Sequence, residues 1–84
     1  MTKAEVEKLI TLPEGWYIIN NPKSDRITIS CPTRDVLLTP GFTWWDKRNK
    51  IIRQLNRKSN GKWNYITGNY VGAGEYRFEL VYVE

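Results

Sequence analysis

Residues 75–83 read EYRFELVYV, and the alternation inside them decides the fold. Phe78, Leu80 and Tyr82 fall on one side of an extended chain and Arg77 and Glu79 on the other, the period-two pattern of a strand with one buried face. Just upstream, VGAG (71–74) supplies glycines for a tight reversal, and KWNYITGNY (62–70) is a second run suited to a strand. Pairing Trp63 with Tyr82, Tyr65 with Leu80 and Thr67 with Phe78 puts all these side chains on one face of a hairpin.

A second hairpin is expected nearer the start. In GWYIINNPKSDRITISC (15–31), two runs rich in Ile and aromatics flank NNPKSD, a cluster of loop formers. Setting Tyr17 against Ile29 and Ile19 against Ile27 gathers Tyr17, Ile19, Ile27, Ile29 and Cys31 on one face, with Thr28 and Ser30 on the other. Before it, Thr2 and Glu5 form a capping-box pattern, and Met1 and Val6 are placed for a hydrophobic staple. Val6, Leu9 and Ile10 follow helical spacing until Pro13 and Gly15, which predicts a helix over 3–11. VLLT (36–39), between Pro32 and Pro40, reads as a short strand.

Between the hairpins lies GFTWWDKRNKIIRQLNRKSNGKW (41–63), dense in tryptophan and cations. Thr43 with Asp46 suits a helix start and Gly61 a helix stop. At about 100° per residue, Trp44, Trp45, Ile51, Ile52 and Leu55 collect into an arc of about 120°. Lys47, Lys50, Arg53, Arg57 and Lys58 occupy the remainder, interrupted by Asp46. Arg48 falls inside the apolar arc, so it is expected to snorkel outward or to meet a carboxylate, because a buried unpaired guanidinium costs several kcal/mol. A competing form is strand–turn–strand, with DKRNK as the turn. The basic side admits three readings: a solvated outer face, a dock for an acidic protein, or a track for phosphates. In the last, Lys62 extends the track, and Trp44 and Trp45 add base stacking if exposed.

Composition narrows the choices further. The 84 residues make one domain, and its four Trp and five Tyr bring enough burial for a core without disulfides or metals. A net charge of +4 favours phosphates or acidic surfaces as partners. The absence of histidine removes the commonest general base and metal ligand, and a single cysteine, Cys31, gives no internal disulfide and no Cys-based zinc site. The nine carboxylates are scattered, with no D-x-D or E-x-x-H arrangement, and no Gly-rich phosphate loop precedes a helix. No catalytic residues, metal or cofactor are expected. With no apolar leader and no stretch long enough to span a bilayer, the chain reads as cytoplasmic.

GWYIINNPKSDRITIS (15–30) also resembles the opening hairpin of the GIY-YIG nucleases. GWY (15–17) stands where that family has its first motif and TIS (28–30) where it has its second. A basic helix follows, and GAGEYRFELVYVE (72–84) is similar to the family's closing strand. The chain departs from the pattern at Thr28, where the family has Tyr, and at Ser30, where it has Gly. The family uses a helix Arg to polarise the scissile phosphate and a Glu to hold a metal ion; Arg48 and Glu75 or Glu79 would stand for them. With these departures the resemblance implies a degenerate nucleic-acid-binding relative, not an active nuclease.

These elements specify an α+β fold: helix, hairpin, short strand, helix, hairpin, with an antiparallel sheet of four to five strands packed with two helices. The expected core is Tyr17, Ile19, Ile27, Ile29, Trp63, Tyr65, Phe78, Leu80 and Tyr82 with Ile51, Ile52 and Leu55. The expected function is non-catalytic binding of DNA or RNA through Lys47, Lys50, Arg53, Arg57, Lys58 and Lys62, with Trp44 and Trp45. The alternative is a protein-binding inhibitor or adaptor of the kind phages and mobile elements direct against host enzymes.

Overall fold

The computed structural model describes residues 3–23, 25–37, 43–59 and 61–83. Within them lie helices α1 (Lys3–Leu9), α2 (Thr33–Leu37) and α3 (Thr43–Ser59), and strands β1 (Tyr17–Ile19), β2 (Arg26–Pro32), β3 (Lys62–Gly72) and β4 (Glu75–Val83). The strands form one antiparallel sheet in the order β1-β2-β4-β3. The α+β class is therefore as expected, with four strands and a third, short helix. The capping and staple residues Met1 and Thr2 lie outside the described residues.

The strand with the plainest alternation occupies an interior position. Tyr76, Phe78 and Leu80 of β4 are buried on the side where α3 packs, while Arg77 is exposed on the other. β2 supplies Ile27, Ile29 and Cys31 to the same layer, and α1 and α3 close it with Val6, Ile10, Ile51 and Leu55. Burying a side chain the size of Phe78 or Leu55 contributes about 2–3 kcal/mol, so this layer holds most of the stabilisation.

Four expectations are corrected. In β1 the register is one residue off: Tyr17 pairs with Ser30, Ile18 with Ile29 and Ile19 with Thr28. A one-residue slip exchanges the faces of a strand. Trp16 and Ile18 go inward, and Tyr17, expected in the core, is 49% exposed. Trp16 wins because its larger indole packs edge-on against Phe78 at 5.9 Å while its N–H donates to Asp35 Oδ2 at 2.9 Å. Tyr17 turns its hydroxyl to the opposite face, where it donates to Glu75 Oε1. Gly15, at φ 85°, makes the left-handed bend that feeds β1.

Of the strand expected at VLLT, the described part is helical. Val36 and Leu37 belong to α2, which continues from β2, while residues 38 and 39 lie outside the described residues. Asp35 sits in the first turn of α2, where a carboxylate suits the helix end, and it is also the acceptor for Trp16. At the other end of the chain, α1 stops at Leu9 and not at residue 11. The backbone N–H of Thr11 donates to Gln54 Oε1 of α3, and Pro13 disfavours helical geometry at Leu12.

The fourth correction is in β3. Trp63 faces Tyr82 and Tyr65 faces Leu80 as expected, but a bulge between Tyr65 and Thr67 moves Thr67 opposite Glu79 and brings Gly68 opposite Phe78. A Cβ at Gly68 would sit 2.0 Å from the Tyr76 hydroxyl, so the inward position there must carry no side chain. Close approach also explains Gly61, where a Cβ would meet the Tyr82 ring at 2.2 Å. Asn56 of α3 then clamps the start of this edge strand, accepting from the Trp63 N–H and donating to its carbonyl.

α3 itself forms as one helix across DKRNK, so the strand–turn–strand alternative does not apply. Leu55, on its inner side, is fully buried. Leu55→Asp should abolish cooperative thermal melting, because a charge there removes more than about 4 kcal/mol, close to the stability of a small domain. In the β3–β4 turn, Ala73 is held at φ 52° between Gly72 and Gly74, a conformation that Asn tolerates better than Ala. Ala73→Asn should raise the melting temperature by about 2–6 °C, measured by circular dichroism.

Candidate nucleic-acid interface

α3 is built as a helix with three environments. Its inner side carries Trp44, Ile51 and Leu55 into the core. Its outer side presents Lys50, Arg53, Arg57 and Lys58, all exposed, and Lys62 follows at the start of β3, also exposed. Lys47 is partly covered. It lines, with Lys50, Ile51 and Gln54, a groove of about 490 Å³ whose far wall is Thr11, Leu12 and Pro13. The groove exists because Pro13 ends α1 early and the Thr11–Gln54 hydrogen bond ties the connection to α3.

The two neighbouring tryptophans separate. Trp44 is 7% exposed and packs edge-on against Tyr76 at 5.5 Å, Phe78 at 5.8 Å and Tyr65 at 6.5 Å. It is a core residue and out of a ligand's reach. Trp45, one position on, is 52% exposed.

Arg48 does not snorkel and, among the described residues, meets no carboxylate, correcting both expectations. It is 9% exposed, and its guanidinium lies 4.4 Å from the ring centre of Tyr65, 4.6 Å from Trp45 and 5.3 Å from Trp44. Its Nε and Nη2 donate to Asn49 Oδ1 at 3.3 and 3.1 Å. Three ring faces and a neutral amide replace the carboxylate. Each ring contributes about 0.5–2 kcal/mol in a partly dry setting, and guanidinium is the cation best suited to stacking.

The opposite face of the sheet is polar but internally matched. Arg77 donates from Nε at 3.1 Å and Nη2 at 2.9 Å to Glu75 Oε2, while Arg26 lies 3.6 Å from Glu79 and 3.9 Å from Asp25. The Tyr17 hydroxyl, with help from Ser30 and Arg77, holds the Glu75 carboxyl below its ordinary value. A second hollow of about 310 Å³ on this face is lined by Asn21, Thr28, Asn69, Arg77 and Glu79 among others, and the Asn21 amide already donates to Thr28 and Glu79. Among the described residues, no ion pair involves the cations on the outer side of α3.

The positions suggested by the nuclease resemblance are not gathered into one centre. Residues 15–17 and 28–30 do lie side by side, with Tyr17 opposite Ser30. Arg48, however, packs on the helix side of the sheet, and Glu75 and Glu79 lie on the other. Among the described residues, no three carboxylate or thiol groups come together to hold a metal ion, and no helix is long and apolar enough to cross a membrane. Sequence reasoning missed Asn49 and Gln54, neutral residues that no charge or hydropathy pattern singles out.

No protein family, curated protein or solved structure matches the chain.

Beneath the first turns of α3, burial pushes the Cys31 thiol from its ordinary 9 up to about 11, against a smaller opposing effect of the Trp44 indole. The folded thiol keeps its proton where the unfolded one loses it, so stability should fall as pH rises from about 9 towards 11. Urea melts across that range check the sign, and Cys31→Ala should flatten the slope without removing the similar contribution of buried Tyr76, whose hydroxyl is also pushed up.

Proposed function

We propose that this chain is a small non-catalytic nucleic-acid-binding protein that grips the phosphate backbone with the outer side of α3. Lys47, Lys50, Arg53, Arg57, Lys58 and Lys62 make the contacts. The observation that carries this reading is the segregation of charge. The arginines of the open sheet face are matched by Glu75, Glu79 and Asp25, whereas Lys50, Arg53, Arg57, Lys58 and Lys62 are exposed, with Asp46 as the carboxylate on their side of α3. Asp46 itself sits in the first helical turn, where a carboxylate complements the helix dipole. A surface of unmatched cations holds an anion atmosphere that a phosphate chain displaces at an entropic gain.

Contacts of this kind position a backbone and read little sequence. Binding therefore tolerates many sequences and depends steeply on salt. With five or six phosphates engaged, affinity should drop between about 100- and 1,000-fold from 50 to 200 mM salt. The open sheet face, whose arginines are already matched, contributes little.

The test is fluorescence anisotropy of labelled DNA and RNA oligonucleotides at two salt concentrations. Wild-type protein should bind with micromolar or better affinity at low salt, and the triple reversal Lys50→Glu, Arg53→Glu, Arg57→Glu should abolish binding with little change in melting temperature. Absence of binding at low salt would overturn the reading and turn attention to an acidic protein as the partner.

A further inference from the structure

We infer that the ligand of this surface is single-stranded nucleic acid, with Trp45 stacking against one of its bases; this rests on the reading of α3 as the phosphate-binding face. Trp45, Asn49, Arg53 and Arg57 recur every four residues and so form one ridge along the helix, about 6 Å per step. One end of the ridge is aromatic and the other cationic. A strand laid along it has its phosphates at Arg53 and Arg57 and a base at the level of Trp45.

The placement of Trp45 is built, not incidental. Trp44 and Trp63 show that this fold has room for indoles in its core, yet Trp45 keeps half its surface in solvent. Leaving such a ring exposed forgoes burial that the neighbouring indoles obtain. The ring is nevertheless held in place, because it packs on the buried Arg48 guanidinium, 4.6 Å from its centre, which is itself 4.4 Å from the ring centre of Tyr65. The same guanidinium occupies the carbonyl oxygen of Asn49, leaving the amide NH2 of that residue as the donor on the ridge. Arg48 is thus a positioning residue for two ridge members at once. A platform ordered before binding loses little entropy when a base arrives.

Duplexes fit this arrangement poorly. Their bases are stacked on each other and show only edges in the grooves, so an indole finds no ring face to cover. Unpaired bases, in contrast, offer ring faces whatever their identity.

The experiment compares a thymine or uracil homopolymer with a duplex of equal length, using wild type, Trp45→Ala and Trp45→Phe. Wild type should prefer the single strand, and single-strand binding should quench tryptophan emission. Trp45→Ala should weaken single-strand binding about 5- to 100-fold while leaving duplex affinity within about twofold, and Trp45→Phe should recover most of the loss and remove the quenching. Equal effects on both ligands, or none, with binding still abolished by the Lys50/Arg53/Arg57 reversal, would overturn the single-strand inference and leave the phosphate-binding face standing. If wild type binds neither ligand at low salt, both fall. Circular dichroism melts of the two Trp45 variants confirm that the fold is retained.

Discussion

Phe78 is the point where the elements of this protein meet. Its ring is fully buried, and the rings of Trp16, Trp44 and Tyr65 surround it at 5.9, 5.8 and 6.3 Å. Each neighbour comes from a different part of the chain and each fixes something. Trp16 fixes which face of β1 turns inward. Trp44 fixes the height and rotation of α3. Tyr65, with Tyr76 beside it, leaves no room for a side chain at the facing position of β3, and the bulge brings Gly68 there. Edge-to-face contacts between rings have preferred angles, so a cluster of four specifies orientation as well as burial.

With the inner side of α3 committed to that cluster, the outer side is left to solvent, and Arg48 lies at the boundary. It belongs by position to the buried arc and by chemistry to the cations. The fold resolves the conflict with stacked rings in place of a carboxylate, which keeps the guanidinium dry without neutralising it. The positive charge thereby remains part of the field around α3. On the far side of the sheet, Arg26 and Arg77 are countered by carboxylates. The two faces of a molecule with a modest net charge differ sharply in what they offer a partner.

Most of the architecture was legible in the sequence because it rests on strong periodic signals. The alternation in 75–83 and the 3.6-residue pattern in 43–59 each involve many residues, and both elements form where expected. What was not legible depends on comparisons between distant residues. The register of β1 turned on whether Trp16 or Tyr17 took the inward place, and the answer came from Phe78 and Asp35, tens of residues away. VLLT has a strand's composition, but its first two residues, Val36 and Leu37, close α2, a segment that follows Pro32 with Asp35 in its first turn. The bulge at Ile66 is set by the tyrosine hydroxyls over Gly68. Within the candidate site, the cations were legible as a face, and the fate of Trp44 against Trp45 was not, since both fall in the same apolar arc. The stacked partner of Arg48 was missed because Tyr65 lies in another element, a helix and a turn away.

The strand order carries a consequence for how the molecule comes into being. Residues 26–32 pair with residues 75–81, so the central seam of the sheet joins segments separated by α2, α3 and β3. Closing so long an intervening loop is entropically costly and is recovered only once the seam zips, which makes assembly slow compared with a helical bundle of the same size. The β3–β4 hairpin has no such delay, because two residues separate its arms. During synthesis from the N-terminal end, β2 is made long before the strand that pairs with it. One edge of β2 therefore stays unpaired until β4 has left the ribosome, and in that interval the nascent chain is most vulnerable to misassociation.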